Sequence, residues 1–529
     1  MSHSIYDQRL SEMIDRVAVE IKQYSLSFIS HIKKLSEIGI ALSAERNIEK
    51  ILEMIVEEAK QFTNADAGTL YLVKDEFLTF EILYNDTMGV RLGGTTGNPV
   101  TLPPVGINKH SLSGYVATTG EIINVPDAYS DTTYDFTGPK KYDEQTGYHS
   151  ESFLVVPMRD HENVIIGVLQ LINAKDRDSG EVIPFSPEYE DIIFSLASQA
   201  AVAITNVRLI ENIENLLGSF VRVMAAAIDE RSPYNKNHTE RVAYYTVALA
   251  KKLNEISCGK YKDIYFTEEE LAELNMAAWL HDVGKVTTPE YIMDKPTKLS
   301  GIIDGIGGLQ ARFDMFTAES ELKSFKKKCK ADEFDKEKKK ILSYREFVTS
   351  INIPTEYLDD QKLEFLNTIH GDRFIDSNDT EHVYLTDDEY HKLSVRKGSL
   401  TDEEREIMQN HVVVTGKLLE KMPFIKKYEH APGIASGHHE KINGQGYPQG
   451  LKGDDIPIGA RIMAIADIFD ALTAQDRPYK KAMNLDAAMK ILEKAAAGGE
   501  IDKDLLAVFR DYKIYEITGV VKEEFGDER

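Results

Sequence analysis

Residues 271–285 read LAELNMAAWLHDVGK. This apolar helical run ends in His281 and Asp282, and Lys285 follows about one helical turn after the histidine. A single histidine in such a position is more often a satisfied core residue. An imidazole that is buried unpaired is costly, however, and a buried aspartate needs a cation. The run predicts a helix whose end faces a bundle interior, with two side chains that need partners there.

The same arrangement recurs elsewhere in the chain. Further imidazoles and one carboxylate lie at or near the ends of apolar helical stretches: His238 in NHTERVAYY, His411 in IMQNHVV, His438 and His439 in GHHEKINGQGYPQG, and Asp467 in IMAIADIFDALTA. Two divalent metal ions that share Asp282 would satisfy all of these side chains, with about four protein ligands each. Nitrogen and carboxylate ligands without sulfur favour iron, manganese, zinc or nickel. Such a pair of ions can clamp a phosphodiester in line, and Lys285 could bind the phosphate or neutralise the leaving oxygen.

The composition narrows the class of protein. A chain of 529 residues is too long for one core and predicts roughly two to four domains. The net charge of −25 argues against binding to nucleic acid or to an anionic membrane. Cys258 and Cys329 are the only cysteines, which excludes a disulfide framework and suits a reducing compartment. The N-terminus has no signal-peptide pattern, and no apolar run approaches the roughly 20 residues of a membrane span. We therefore expect a cytoplasmic protein without a nucleic-acid or membrane partner.

Changes in the spacing of apolar, turn-forming and charged residues along the chain predict its division into domains. Strand-like runs between glycine- and aspartate-rich turns indicate an α+β domain with one sheet, and apolar residues at three-to-four spacing indicate helices elsewhere. The charge runs of an interrupting segment are typical of solvated helix faces. The predicted parts are a helical segment at 1–44, the α+β domain at 45–186, a linker helix at 187–218, a helical domain at 219–515 with an insertion at about 300–397, and a tail at 516–529.

The linker helix leaves two interpretations open. Its apolar residues follow a three-four alternation: Ile193, Leu196, Ala200, Ala203, Val207 and Ile210. Such a stripe is most often a helix packed on its own domain. It also matches the seam of a short parallel coiled coil, in which small and branched residues at Ala200, Ala203 and Val207 would allow close packing. The second interpretation predicts a homodimer through this helix and the N-terminal helix.

The ligand-bearing blocks resemble the HD-GYP family, a branch of the HD-domain metal-dependent phosphohydrolases. The resemblance is carried, in family order, by NHTERVA, HDVGK, GSLTDEEREIMQNH, HHEKINGQGYP and LKGDDIPIGARIMAIADIFDALTAQDRPYKKA, which cover about 219–296 and 397–485. Family members are all-helical and hydrolyse cyclic di-GMP. The resemblance therefore implies an all-α HD-GYP domain joined by a long helix to the α+β domain.

The resemblance also implies roles for particular residues. One metal ion would be held by His238, His281, Asp282 and Asp467, and the other by Asp282, His411, His438 and His439. Asp282 and Lys285 would act in catalysis, with Lys285 on the substrate phosphate. Substrate or loop contacts would come from Gly444, Gly446, Tyr447, Pro448, Arg461 and Arg477. Iron and manganese are the metals that we expect, two ions per chain.

Three departures from the family pattern bear on activity. Asn443 stands where the family usually has aspartate, which keeps the turn-forming side chain and loses its charge. The stretch 300–397 splits a connection that is short in most members. Tyr234 occupies the position of a glutamate that binds a third metal in some members, and a neutral phenol is a poor ligand for a hard divalent ion. We therefore expect two metals and slow cleavage beyond the linear product.

The α+β domain is similar to the GAF domains of cyclic-nucleotide phosphodiesterases. The similarity lies in HSLSGYVATTGEIINVPDAYSD and SFLVVPMRDHENVIIGVLQLINAKD. Of that group's Asn-Lys-Phe-Asp-Glu pattern, Asn173, Lys175 and Phe185 are present, but Ala174 intervenes and Glu190–Asp191 reverses the last pair. The resemblance implies either a sensor for a small molecule such as a cyclic nucleotide or a structural dimerisation module.

The function implied by both resemblances is a metal-dependent phosphodiesterase regulated by a GAF sensor domain. It would hydrolyse cyclic di-GMP to the linear dinucleotide pGpG, with GMP as the product of any further cleavage. Two alternatives remain open at this point. One is an HD phosphohydrolase for another cyclic dinucleotide, such as cyclic GMP-AMP. The other is a non-catalytic cyclic-dinucleotide receptor, which the presence of the complete ligand set disfavours.

Overall fold

The computed structural model describes residues 2–231, 237–326, 331–355, 357–474 and 483–516. The predicted contacts of Arg477 and Tyr234 lie outside these residues. The chain divides into two compact units, Met1–Asn215 and Leu216–Arg529.

The first unit is built on one antiparallel sheet. The strand order is β3-β2-β1-β7-β6-β5, with β4 paired to β2 and β8 to β7. Its elements in chain order are α1 (Ser2–Ala44), α2 (Ile48–Thr63), β1 (Ala65–Lys74), β2 (Phe77–Asn85), β3 (Val90–Gly93), β4 (Val105–Gly106), α3 (Leu112–Thr119), β5 (Ile123–Val125), α4 (Thr137–Thr146), β6 (Phe153–Arg159), β7 (Ile165–Lys175), β8 (Val182–Ile183) and the start of α5 (Glu188–Asp229). The α+β class predicted for this part is confirmed.

The apolar stripe of α5 packs inside this unit. Ala200, Ala203 and Val207 are between 0% and 9% exposed, in one core with the apolar face of α2 and strands β1 and β7. The prediction of a dimer seam at these three residues is therefore wrong, because the core of their own domain already buries them. By length and composition alone, α5 could also cross a membrane. Of the apolar stretch concerned, 44% is buried inside the structure.

The second unit is mostly helical, as predicted. Its elements are the end of α5, α6 (His238–Leu253), α7 (Glu268–Leu280), α8 (Glu290–Met293), α9 (Gly305–Phe325), α10 (Ala331–Ile351), α11 (Asp360–Gly371), β9 (Arg373–Ile375), β10 (Glu381–Val383), α12 (Asp387–Leu393), α13 (Asp402–Leu419), α14 (Ala431–Ser436), α15 (Ile458–Thr473), α16 (Leu485–Ala497) and α17 (Lys503–Asp511). A 3-10 turn, Val283–Thr287, follows α7. Helices α6, α7, α15 and α17 share the main core.

Local sequence sets the starts of the helices that lead to the candidate ligands. In α7 and α13, the side chain of a threonine before the helix accepts a hydrogen bond from the backbone N–H of a glutamate three residues later, and the carboxylate of that glutamate accepts one from the threonine's backbone N–H. This reciprocal cap satisfies two backbone N–H groups that a helix start would otherwise leave unpaired. Thr267 and Glu270 begin α7, which ends just before His281, and Thr401 and Glu404 begin α13, which carries His411.

The insertion has a core of its own. Buried aromatic rings of α9, α10, β9 and the segment before α12 pack together, including Phe313, Phe316, Tyr344, Phe374 and Tyr384. Strands β9 and β10 form an antiparallel hairpin. The charged stretch SNDTEHVYLTDDEY is therefore a hairpin strand followed by a short helix, so the prediction of a solvated helix face is wrong for the strand and holds only for the start of α12. Alternation of buried and exposed positions over so few residues is too short to identify from sequence.

A candidate metal centre in the helical unit

Three of the predicted ligands are oriented in the same way. His281, His411 and His438 each direct the Nδ1 atom of the ring at a backbone carbonyl three residues earlier. The Nδ1–O distances are 2.7 Å to Ala278, 2.6 Å to Met408 and 2.6 Å to Ala435. Since a carbonyl can only accept, Nδ1 carries the proton, and Nε2 is left with a free lone pair in the neutral ring. This is the arrangement that prepares an imidazole to bind a metal ion.

The three Nε2 atoms are buried and have no hydrogen-bond partner among the described residues. A buried polar atom without a partner typically costs about 1–3 kcal/mol, and three such atoms in one place are rare in a stable protein. Metal ions on both sides of Asp282 would give each of the three Nε2 atoms a partner. The donor set of this centre thus fits divalent metal ions.

The carboxylate of Asp282 lies between the histidines. Its Oδ2 is 3.2 Å from Nε2 of His281 and 3.7 Å from Nε2 of His238, whereas its Oδ1 is 3.3 Å from Nε2 of His411. The two oxygens therefore face different imidazoles. This geometry is the one that a carboxylate bridging two ions requires.

The structure brings the seven predicted ligand side chains together. Two groups have ligand atoms that all lie within 4.8 Å of one another: His238, His281 and Asp282, and His411, His438 and His439. Asp467 joins the first group, since its Oδ1 is 3.3 Å from Nε2 of His238. Helices α6, α13 and α15, the turn after α7 and the loop after α14 supply these residues, so the centre exists only in the folded bundle.

The electrostatics favour the metal-binding protonation states of His438, His439 and Asp282. Burial, reinforced by neighbouring histidines, holds the pKa of His438 well below its ordinary value. Burial also lowers the pKa of His439 to about 4. Both rings are therefore neutral at pH 7, the form that binds metals. Burial would raise the pKa of Asp282, but its contacts with His281 and Lys285 outweigh this effect and hold that pKa well below the usual range.

Sequence reasoning missed Asp470. Its Oδ2 is 2.7 Å from Nδ1 of His238, and Arg241 donates to the same carboxylate. His238 therefore differs from the other three rings, because a side-chain carboxylate, not a backbone carbonyl, orients it. Burial opposes protonation of His238, but hydrogen bonds to Asp467 and Asp470 prevail and raise its pKa to about 9. The three-residue spacing of the two aspartates places them on one face of α15, a signal that was available in the sequence.

The predicted loop residues lie beside the centre. Glu440 accepts hydrogen bonds from the backbone N–H groups of Gln449 and Leu451, at 2.7 and 2.9 Å, and so holds the chain just after Tyr447 and Pro448. The Tyr447 ring is 4.9 Å from the ring of His439. Gly446 is required, since a Cβ there would stand 2.3 Å from the backbone nitrogen of Lys441. Gly444 has a φ of +79°, which favours glycine.

Two predicted phosphate or substrate contacts differ in their placement. The ammonium group of Lys285 contacts Oδ2 of Asp282 and is therefore at the centre. Arg461 is not brought to the histidines. Its guanidinium is buried and pairs with Asp454 and Asp502, at 2.9 and 3.3 Å, so that it joins α15 to the start of α17. The sequence could not distinguish these two cations because both lie near ligand residues in the chain.

Asn443 has a specific role that aspartate could not fill. Its Nδ2 donates to the carbonyl oxygen of Gly498 at 3.2 Å, while its Oδ1 accepts from the N–H of Gln445 at 3.0 Å. Asparagine can make both bonds, whereas a carboxylate can only accept. The departure from the family pattern thus ties the glycine loop to the end of α16.

We expect Asn443→Asp to destabilise the second unit by about 1–2 kcal/mol, because the Gly498 carbonyl loses its donor and faces a like-signed carboxylate. Thermal or denaturant unfolding measures this change. The same substitution at Asn98, an exposed residue of the first unit, is the control and should alter stability by less than about 0.5 kcal/mol. Equal effects of the two substitutions would contradict the proposed bond.

Comparison with known proteins gives a family match for each of the two parts of the chain. Residues 47–204 match the GAF domain family, and residues 236–325 and 387–505 match HD domain families. The chain thus joins a GAF domain to an HD domain whose two matched parts are separated by residues of the insertion. This combination is similar to that of HD-GYP family proteins with an N-terminal GAF domain.

Three relatives illustrate the similarity. A 3'3'-cGAMP-specific phosphodiesterase 3 of Vibrio cholerae is 41% identical over 278 residues, which are 53% of this chain and 35% of the relative. A cyclic di-GMP phosphodiesterase of Thermotoga maritima is 30% identical over 228 residues, 39% of this chain and 60% of the relative. The cyclic di-GMP phosphodiesterase response regulator RpfG of Xanthomonas campestris is 43% identical over 100 residues, 18% of this chain and 25% of the relative. The chain thus spans between a quarter and 60% of the length of these relatives.

Proposed function

We propose that this protein is a metal-dependent phosphodiesterase that hydrolyses cyclic di-GMP to the linear dinucleotide pGpG. The observation that carries the proposal is the set of three buried Nε2 atoms without partners, arranged around the Asp282 carboxylate. A non-catalytic receptor has no need of such a set, because binding a dinucleotide does not require a hydrolytic centre. The names of the relatives support the substrate class.

In this proposal the chain holds two divalent ions, iron or manganese. His238, His281, Asp282 and Asp467 hold one, and Asp282, His411, His438 and His439 hold the other. When bound, such ions activate water and stabilise charge on the phosphoryl oxygens.

The protein's own groups orient the reaction. The carbonyls behind His281, His411 and His438 keep each ring in one tautomer, so that no rearrangement is needed during turnover. The Lys285 ammonium offsets negative charge that develops on the phosphate. The loop of Gly444, Gly446, Tyr447 and Pro448, held by Glu440, forms one wall for the substrate, and Arg477 is proposed as a further contact.

The test is hydrolysis by the metal-reconstituted full chain. Cyclic di-GMP and 3'3'-cyclic GMP-AMP are incubated separately, and the products are resolved by chromatography. The second substrate is included because the relative that covers 53% of this chain is named for it. We expect kcat/KM to be higher for cyclic di-GMP, with two metals per chain and accumulation of the linear product. Absence of hydrolysis of both compounds by fully loaded protein would disprove the proposal. A higher kcat/KM for cyclic GMP-AMP would show that this compound, and not cyclic di-GMP, is the substrate.

We further propose a cytoplasmic homodimer that the GAF domain regulates through a small molecule such as a cyclic nucleotide. A different face of α5 from the one first predicted supports the dimer. Apolar residues at alternating four- and three-residue spacing are 46% to 71% exposed: Leu209, Ile213, Leu216, Phe220 and Val223. This period of 3.5 residues is that of a two-stranded coiled coil. The low cysteine content supports the cytoplasmic location.

Replacing both Ile213 and Phe220 by glutamate should convert the dimer to a monomer, since like charges would face each other across the seam. Light scattering at tens of micromolar measures the mass. Ile375→Glu, at an exposed apolar position on β9, is the matched control and should leave the dimer intact. A parent protein that is already monomeric would disprove this part of the proposal.

A further inference from the structure

Helix α5 ends beside the candidate centre. Its last residue, Asp229, accepts hydrogen bonds from Thr239, with Oδ1 at 2.9 Å from the threonine hydroxyl and Oδ2 at 3.3 Å from the backbone N–H. Thr239 is buried and directly follows His238 at the start of α6. The end of α5 therefore holds the helix start that carries one of the ligands.

The same end of α5 also holds the second ligand-bearing element. The guanidinium of Arg231 donates to the carbonyl oxygens of Lys285, Val286 and Thr288, at 3.2 Å for Lys285 and 3.3 Å for Thr288. Lys285 and Val286 lie in the 3-10 turn that follows Asp282, and Thr288 is the residue just after it. A planar guanidinium can bind several carbonyls at once, so it fixes the turn in orientation as well as in position.

Hydrogen bonds with α13 also fix this turn. The N–H of Gly284 donates to Oγ1 of Thr415 at 3.0 Å, and the Thr415 hydroxyl donates to the carbonyl of His281 at 3.1 Å. A Cβ at Gly284 would stand 1.9 Å from the carbonyl oxygen of His411, so the turn and α13 are in close backbone contact. The turn can therefore be displaced on the side that contacts Arg231.

We propose that Asp229 and Arg231 are positioning residues through which α5 controls the metal centre. The pair connects one helix end to the start of α6 and to the turn that carries Asp282 and Lys285. A rotation or shift of α5 would move His238 relative to Asp282. Because productive geometry at such a centre tolerates only about 0.5 Å, a small displacement is enough to switch it. This inference rests on the proposed phosphodiesterase function.

The first test compares Arg231→Ala, Arg231→Lys and Asp229→Asn in the full chain. Arg222→Ala is the control, because Arg222 is on the same helix and, among the described residues, donates only to Ser219, at 3.2 Å. We expect Arg231→Ala to raise hydrogen exchange of the amides at 283–288 about tenfold or more and to lower the affinity for one metal about tenfold. Arg231→Lys should restore part of the protection from hydrogen exchange and part of the metal affinity. Arg222→Ala should match the parent in both.

Turnover separates positioning from simple structural support. With bis(p-nitrophenyl) phosphate as substrate, kcat of Arg231→Ala should fall about 10- to 100-fold while KM changes less than about threefold. Exchange and metal affinity within twofold of the parent would overturn the inference. Those two readouts need no turnover, so an inactive parent would refute the proposed function and leave this inference testable.

The second test measures the coupling to α5. Inserting one alanine after Leu216 turns the helix by about 100°, whereas inserting seven residues restores the phase to within about 20°. We expect the single insertion to lower kcat about tenfold and the seven-residue insertion to leave it near the parent value. In the Arg231→Ala background the single insertion should have no further effect. Independent, multiplicative effects of insertion and substitution would overturn the proposed connection.

Discussion

Asp282→Asn should leave the protein folded but should lower the number of metal ions that bind with the parental affinity to less than one per chain. Its kcat on cyclic di-GMP should fall by at least about 10³-fold. The amide keeps the shape of the carboxylate but offers one neutral oxygen where two charged oxygens face opposite groups of histidines. Neither ion would then be bridged, and the partly buried Lys285 would lose the charge that it contacts. Elemental analysis, steady-state kinetics and circular dichroism measure metal content, turnover and fold.

The control for this variant is Asp486→Asn, which changes an exposed aspartate in the first turn of α16. It should leave metal content and kcat unchanged and lower stability by less than about 1 kcal/mol. If Asp282→Asn retained both metals and a kcat within tenfold of the parent, Asp282 would not bridge the two groups.

Asp470→Ala should weaken one metal site selectively. Without this carboxylate, Nδ1 of His238 loses its partner, and the ring is free to turn its Nε2 away from Asp282 and Asp467. Loss of such a supporting group typically costs about 10- to 100-fold in metal affinity or activity. Titration with manganese in the presence of a competing chelator should therefore show one weakened and one parental site.

Two further variants separate orientation of the histidine from loss of the ion pair with Arg241. Asp470→Asn retains an acceptor for the Nδ1–H of His238 and should recover part of the affinity. Arg241→Gln removes the guanidinium that also binds Asp470, and it should change metal affinity by less than about threefold while lowering stability. Parental affinity at both sites in Asp470→Ala would show that the carboxylate does not orient His238 for metal binding.

Much of the candidate centre could be predicted from the sequence, because its chemistry depends on residue type. Paired imidazoles such as His438 and His439 have few uses in a core other than metal binding, and acids at the ends of apolar helices need cations. The spacing of Asp467 and Asp470 would have identified the supporting carboxylate as well. Arg461 shows the limit of this reasoning, since nearness in the chain did not bring its side chain to the centre.

By itself the sequence determined the periodic and chemical properties of this protein: an α+β part, a helical part, the long helix between them and the set of metal-binding side chains. These follow from local periodicity and from what each side chain must bind when it is buried. Only the tertiary structure decided which face of α5 is covered, that the insertion has its own core, and that Asp229 and Arg231 meet the ligand-bearing elements. Each of these depends on contacts between residues distant in the chain, and no local pattern encodes which of two apolar faces a particular sheet or helix will cover.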